Sequence, residues 1–321
     1  MIQAGIIGGA GYTAGELIRI LHHHPNVELA FVQSESQAGS PVSHIHTDLV
    51  GELSLTFTNR PDWDVDVLFL CMGHGRSKAF MEKHPIPPHL KIIDLSHDFR
   101  LKDDAHEFVY GLPEWQGAQL SQKNHIANPG CFATAIQLAL LPLANAGLLQ
   151  SEVHIHAITG STGAGQQPGE TTHFSWRNNN VSVYKPFRHQ HLGEIRQTLR
   201  QLQPDFEADL NFLPVRGNFS RGIFASLYTR SSLSQKALST LFEAYYEDAP
   251  FVVITAQNPD LKQVVNTNKC LLFPQKIGDK ILIISLIDNL LKGASGQAVQ
   301  NMNLAFGLEE TAGLRLKAMA F

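Results

Sequence analysis

Cysteine is scarce in this chain of 321 residues: Cys71, Cys131 and Cys270 are the whole supply, far apart and in no C-x-x-C pair. An odd number at such spacings argues against a disulfide framework and for a reducing compartment, so a cytoplasmic protein is expected. An excess of charge of one sign is also lacking. Twenty-five Lys+Arg against 29 Asp+Glu leave a net charge of −4 and no basic face, which removes nucleic acid from the expected partners. Long apolar runs are missing too. The longest, Ala135 to Leu149, is interrupted by Gln137, Pro142 and Asn145, so it reads as a buried helix with its exit loop, and no membrane span is expected. No basic region precedes the first apolar run, so no signal peptide is expected either. Internal repeats and low-complexity linkers are absent. What remains, 43% apolar and 17% charged residues, describes a globular protein with ample core and a length that suits two domains.

Gln3 to Ile7 reads as a short apolar strand, GGAGYTAGE follows it, and Leu17, Ile18, Ile20 and Leu21 then carry helical spacing. Further strands are expected at 27–33, 65–71 and 91–95, later ones at 108–112 and 125–127, and a helix at 77–83. Strand, helix, strand with right-handed crossovers gives an α/β domain with a doubly wound parallel sheet of the Rossmann type. Beyond Cys131 the texture changes. Strands at 153–159, 212–214, 222–229, 251–255, 269–273 and 280–286, with helices near 192–202 and 234–246, describe an α+β domain with a mostly antiparallel sheet. The expected division is 1–130 for the first domain, completed by a returning C-terminal helical segment at 295–321, and 131–294 for the second.

Three stretches carry chemistry. In GGAGYTAG, Gly8 to Gly15, glycines at 8 and 11 allow a tight turn from strand to helix, and the helix N-terminus then faces a pyrophosphate. The plain alternative is a glycine-rich turn that binds nothing. The second strand runs into QSESQAG, where Glu35 could hold a ribose 2′-hydroxyl, whereas Ser34 and Ser36 could donate to a 2′-phosphate. The third stretch, ANPGCFATA, sets Cys131 after Pro-Gly at the threshold of the long apolar helix. The positive end of the helix dipole favours a thiolate there, and the unpaired first-turn N–H groups can hold an oxyanion. Cys71 and Cys270, inside apolar strands, read as packed core. A nucleophilic cysteine needs a base or ion-pair partner. His189, His191 and Glu194 in YKPFRHQHLGEI supply candidates, with Glu194 three residues after His191 and so on the side of the helix that can orient the ring. His22, His23 and His24 close a helix just before Pro25, where cations suit the negative helix end, and no metal site is expected.

These segments resemble the N-acetyl-gamma-glutamyl-phosphate reductase family, relatives of the aspartate-semialdehyde dehydrogenases. The likeness runs nearly end to end: GGAGYTAGEL, DLSHDFRL at 94–101, YGLPE at 110–114, ANPGCFATA at 127–135, GSTGAG at 160–165 and HQHLGEI at 189–195. It continues through LPVRGNFSRG at 213–222 and DNLLKGASGQAVQNMNLAFG at 288–307. The resemblance implies a glyceraldehyde-3-phosphate dehydrogenase-like fold and the NADPH-dependent reduction of an N-acyl-glutamyl phosphate, a small-molecule substrate, in arginine biosynthesis. It implies a catalytic and oligomerisation role for the second domain, and a homo-oligomer, dimer or tetramer. Cys131 falls on the family's nucleophile, and His191 on its acid/base histidine with Glu194 beside it. Gly8, Gly9, Gly11, Tyr12, Thr13, Ser34, Ser36, Gly163 and Asn289 fall where the family holds NADP. Arg100, His189 and Arg221 become candidates for substrate contacts, since a guanidinium fork matches phosphate or carboxylate. Glu35 follows Ser34 where members of the family often carry arginine, and Phe132 replaces a common tyrosine. An N-succinyl or aminoadipyl substrate, or an aspartate-semialdehyde dehydrogenase, is the nearest alternative. A cysteine hydrolase or acyltransferase, or a nucleotide sensor without catalysis, lies further off.

Overall fold

In the computed structural model, which describes residues 1–320, the N-terminal apolar run forms β1 (Ile2–Ile7) and the glycine stretch leads directly into α1 (Tyr12–His22). There follow β2 (Val27–Gln33), β3 (Val67–Leu70), α2 (Arg76–Lys83), β4 (Lys91–Asp94), β5 (Val109–Tyr110), α3 (Pro113–Leu120) and β6 (His125–Ala127). Every pairing in this sheet is parallel, in the order β2-β1-β3-β4-β6-β5. A parallel sheet is covered on both faces, so its strands are apolar throughout rather than alternating. β3 accordingly buries all four of its residues. α1 lays Ala14, Leu17, Ile18 and Leu21 against the sheet at helical spacing.

The second half begins with α4 (Cys131–Asn145), then β7 (Val153–Thr159), α5 (Phe174–Arg177), β8 (Ser182–Val183), α6 (His191–Leu202), β9 (Leu210–Arg216), β10 (Ile223–Arg230), α7 (Gln235–Tyr245), β11 (Val252–Ile254), β12 (Cys270–Ile277) and β13 (Lys280–Ile287). Their sheet runs β11-β12-β13-β10-β7-β9-β8. It is mixed. The β11–β12 and β7–β9 pairs are parallel and the rest antiparallel. α4 buries Phe132 through Ala144 without a break, which is why its sequence is apolar all round. Ser285 donates from β13 to the Ala135 carbonyl and fixes that helix to the sheet. A π turn at Leu291–Ser295 precedes α8 (Gly296–Ala305).

By contacts the chain divides into two compact units, Met1–Pro129 with Ala294–Arg315, and Gly130–Gly293 with the tail from Leu316. α8 belongs to the first. Its Gln297, Gln300, Asn301 and Asn303 are all buried, an unusual load of polar side chains for one helix. Asn301 donates to Gly111 O and Asn128 Oδ1, and Asn303 to the carbonyls of Glu310 and Ala312. The tail turns to the second unit, where Met319 N donates to Val265 O. Phe321, the end of the segment expected to return, lies outside the described residues. No helix among the described residues is long and apolar enough to cross a membrane.

Two departures from the sequence reading have simple causes. α1 starts at Tyr12, ahead of its apolar stripe, because Gly11 is its N-cap and the first turn carries no large core residue. α3 went unread because it buries only Pro113 and Leu120, so it has no stripe to read; its start signal is the proline itself.

Candidate active site

α4 begins at Cys131. Gly130 is its N-cap in extended conformation, no side chain caps the first turn, and no acidic residue lies in it. The positive helix end therefore meets no competing carboxylate of its own. Cys131 is partly exposed whereas the next thirteen residues are buried. The other two thiols differ. Cys71, just past the end of β3 and not in the core expected for it, is partly exposed as a residue, but desolvation of its sulfur, and after it the charge of Asp94, pushes the thiol far above its ordinary range. Cys270 is fully buried in β12, its sulfur near the Ser285 hydroxyl. Behind Cys131 the chain closes tightly: a Cβ built on Gly293 would stand 2.8 Å from Cys131 Cβ. Nothing larger than glycine fits at that point of the π turn.

The start of α6 packs on the start of α4. Phe132 presents its ring to His189 and His191, at centroid distances of 5.5 and 6.2 Å. Glu194 Oε2 accepts a hydrogen bond from the Gly130 N–H at 2.9 Å, one residue before the cysteine. The sequence reading had this carboxylate orient His191. Its Oε1 stands 3.9 Å from His191 Nε2, and the other oxygen braces the backbone that carries Cys131. The i, i+3 spacing put both groups on one helical face as expected, and that face is occupied by the α4 N-terminus. His189 Nδ1 accepts from His191 N at 3.3 Å. Burial, and after it the charge of Lys185, lowers the His189 pKa to about 4, so at neutral pH its ring carries no charge.

Neither arginine has its fork simply open to a ligand. Arg100 is buried and donates to the carbonyls of Asn128, at 2.8 Å, and Leu95, at 2.9 Å. It thus braces the strand end that leads into Asn-Pro-Gly. Arg221 donates from Nε to the fully buried Asp288 at 3.1 Å, and its Nη2 stands at ion-pair distance, 3.0 Å, from the same oxygen. Asp288 also accepts from the backbone N–H groups of Asn266 and Leu290, so it organises the turn after β13. Asn289 and Gly163 do come together. Asn289 Oδ1 accepts from Gly222 N at 2.6 Å and its Nδ2 donates to Thr162 Oγ1 at 3.0 Å. Gly163 lies in the short turn Ser161–Ala164 next to that amide.

Sequence reasoning missed Tyr184 and Arg216. The Arg216 guanidinium lies over the Tyr184 ring, 4.6 Å from its centroid, and that ring is 5.7 Å from His189. Burial first, then the charge at Cys131, raises the Tyr184 phenol above its usual range, and Arg216 pulls it back. Tyr184 opens the YKPFRHQH stretch, and closeness in sequence to the histidines was the only signal available. Asn128 was also passed over. Its side chain donates to Ala294 O and accepts from Asn301, holding the segment that ends at Pro129.

In the first unit the glycine turn has the shape a dinucleotide needs. Gly8 has φ +81°, and its N–H and that of Gly9 both donate to Gln33 O. A Cβ on Gly9 would lie 2.1 Å from Val32 Cγ1, whereas one on Gly11 would meet nothing within 4 Å. The turn is packed from behind and open at the helix end. α1 has no capping side chain and no acidic residue in its first turn, so its N–H groups suit phosphate oxygens. The turn sits at the carboxyl end of β1, between β2 and β3, where strand order reverses and doubly wound sheets bind ligands. Tyr12 is exposed at the helix start, and Thr13 accepts from Ser295 Oγ through its carbonyl. Ser34 is buried with its hydroxyl 3.5 Å from that of Ser36, and Glu35 is exposed.

Two family models match the chain: "Semialdehyde dehydrogenase, NAD binding domain" over residues 3–123 and "Semialdehyde dehydrogenase, dimerisation domain" over 131–289. Among solved structures, aspartate semialdehyde dehydrogenase II from Vibrio cholerae superposes with a TM-score of 0.74 at 17% identity, covering 95% of this chain and 98% of that one. The enzyme from Candida albicans, in a structure titled as containing NADP, gives 0.72 at 12% identity, with 96% and 99% covered. Fold and family models together define an oxidoreductase of the semialdehyde dehydrogenase class that uses a nicotinamide cofactor. N-acetyl-gamma-glutamyl-phosphate reductases from Parabacteroides distasonis and Azobacteroides pseudotrichonymphae are 59% and 60% identical to this chain, each over 100% of both sequences. The chain belongs to the N-acetyl-gamma-glutamyl-phosphate reductase family.

Proposed function

We propose that this protein reduces N-acetyl-gamma-glutamyl phosphate to N-acetylglutamate 5-semialdehyde, with NADPH as reductant and release of phosphate, as a step of arginine biosynthesis in the cytoplasm. The observation that carries the reading is Cys131 at the uncapped start of α4, with His191 and Glu194 of α6 packed against that start. Full-length identity near 59% to reductases of that name supports the substrate. The thiolate of Cys131 attacks the acyl carbon, the bond from that carbon to the phosphate oxygen breaks, and a thioester forms on the sulfur. First-turn N–H groups of α4 hold the carbonyl oxygen through this step. A bound nicotinamide supplies the hydride that reduces the thioester carbonyl. His191 gives a proton to the oxygen of the resulting hemithioacetal and takes it back as the carbon–sulfur bond breaks, freeing aldehyde and thiolate. The net proton consumed leaves on phosphate. Dividing the reaction in this way lowers each barrier, because a thioester accepts hydride more readily than a carboxylate does.

Gly8, Gly9, Gly11, Tyr12 and Thr13 hold the pyrophosphate in this reading, Ser34 and Ser36 the 2′-phosphate, and Gly163 and Asn289 flank the nicotinamide. The exposed Glu35 carboxylate points the preference less firmly than an arginine would, so the cofactor is tested together with the substrate. His189, kept neutral, contacts substrate as a hydrogen-bonding ring, and the Arg216–Tyr184 pair lines the same site. Arg100 and Arg221 act on substrate anions through the segments they brace. A homo-oligomer, dimer or tetramer, fits a second domain whose family model is described by dimerisation. The deciding assay offers N-acetylglutamate, N-acetylaminoadipate and aspartate semialdehydes to the protein in the reverse direction, with phosphate and either NADP or NAD. N-acetylglutamate semialdehyde with NADP is expected to give the highest kcat/KM; preference for another semialdehyde overturns the substrate, and preference for NAD overturns the cofactor.

A further inference from the structure

The end of α1 and the segment after β2 bring together a donor set that the reaction does not use. His22 and His23, consecutive at the helix end, and Glu52, thirty residues on, place three ligand atoms within 4.8 Å of one another. Adjacent residues in a helix point about 100° apart and do not normally meet. Here they do, because His23 is the C-cap, with φ −100° and ψ 8°, and the two ring centroids come within 4.8 Å. His22 is half-buried, and His23 and Glu52 are exposed, so the ligand atoms are open to solvent and the side chains can adjust. Donors set tetrahedrally around one ion at bonds of about 2.1 Å lie roughly 3.4 Å apart, so only small rotations are required. The negative end of the α1 dipole also favours a cation at this spot.

We propose that, contrary to the expectation from the sequence alone, His22 and His23 together with Glu52 form a binding site for a first-row transition-metal ion, zinc foremost. Two imidazoles and one carboxylate suit zinc, nickel or copper, and the nitrogen donors disfavour magnesium and calcium, which take oxygen. With three protein ligands the fourth position is left to water, so the site is exchangeable rather than closed. Its occupant ties two parts of the first unit. Glu52 follows the short turn Thr47–Leu49, and the same segment carries His46, whose Nε2 lies 2.7 Å from the Gly9 carbonyl in the glycine turn. A metal ion at residues 22, 23 and 52 therefore adds a second tie between that segment and the strand–helix unit it buttresses.

The test titrates zinc ions alone into the full-length protein carrying Cys131→Ser, so that the nucleophilic thiol does not compete, and reads binding by calorimetry. One saturable site is expected. His23→Ala and Glu52→Gln, both at exposed positions, are each expected to weaken it by more than about a hundredfold, beyond what loss of a supporting contact costs. Amide hydrogen exchange at residues 46–53 is expected to slow on zinc addition in the parent and not in Glu52→Gln. Absence of saturable zinc binding overturns the proposal. So does undiminished binding in Glu52→Gln, which would reduce the site to a pair of surface histidines.

Discussion

His189 and His191 stand two residues apart with rings 4.5 Å from centroid to centroid, and His189 is not fit to carry a proton near neutrality. Burial and Lys185 depress the His189 pKa to about 4, which removes it as an acid at pH 7, and the proposed mechanism gives that role to His191. His191→Asn is expected to lower kcat by about 10²–10⁴-fold, the usual contribution of a positioned acid or base, while the affinity for NADPH measured by fluorescence stays near normal. A loss of cofactor binding in step with activity would contradict that role. The same burial has a cost in acid. Above about pH 6.5 His189 is neutral whether the chain is folded or not. Between there and about pH 4 the unfolded chain takes up a proton that the folded one refuses, so stability falls as pH falls through that window. Urea unfolding across it is expected to show a shallower decline in His189→Asn than in the parent.

At the scale of elements, the site is made where the starts of α4 and α6 meet and a π turn closes behind them. The Gly293 position is the narrowest part. A methyl there would press on Cys131 Cβ at 2.8 Å, and a Cβ cannot swing away as a side-chain tip can. Gly293→Ala is therefore expected to displace the sulfur, and a shift on the order of 1 Å costs about 10²-fold in turnover. Steady-state kinetics should show the fall in kcat with little change in the dissociation constant for NADPH, whose glycine turn lies in the other unit. Equal loss of both would mean that the substitution disturbs the fold at large.

This level also shows how far a single sequence could be read. Apolar strands such as 67–70 within the expected 65–71, and 153–159, declared themselves because burial on both faces or strict alternation leaves a one-dimensional trace. α3 and β8 left none, since the one buries two residues and the other is a two-residue edge. The helix start at Cys131 was legible from Pro-Gly and the apolar run behind it. The Glu194 bond to Gly130, the Gly293 approach and the Tyr184–Arg216 stack were not. Each joins residues tens of positions apart, and no local pattern encodes such a meeting.

Across the whole molecule the two units divide the labour proposed for them. The first supplies a parallel sheet whose glycine turn is rigid behind and open in front. The second supplies a helix that delivers a sulfur at its positive end. α8 binds the first unit with four buried amides, Gln297, Gln300, Asn301 and Asn303, where a simpler core would use apolar residues. Of these, Asn301 and Asn303 satisfy loop carbonyls at Gly111, Glu310 and Ala312, and Asn301 also bonds Asn128, two residues before Gly130. The proposed chemistry depends on Cys131 becoming acylated, and that event can be caught. The protein is mixed with N-acetyl-gamma-glutamyl phosphate without reduced cofactor, quenched in acid, and its peptides weighed. The account predicts one N-acetylglutamyl group on the peptide bearing Cys131, discharged as semialdehyde when NADPH is added first, and absent from Cys131→Ser. Turnover by a protein whose Cys131 stays unmodified, or normal turnover by Cys131→Ser, would contradict it.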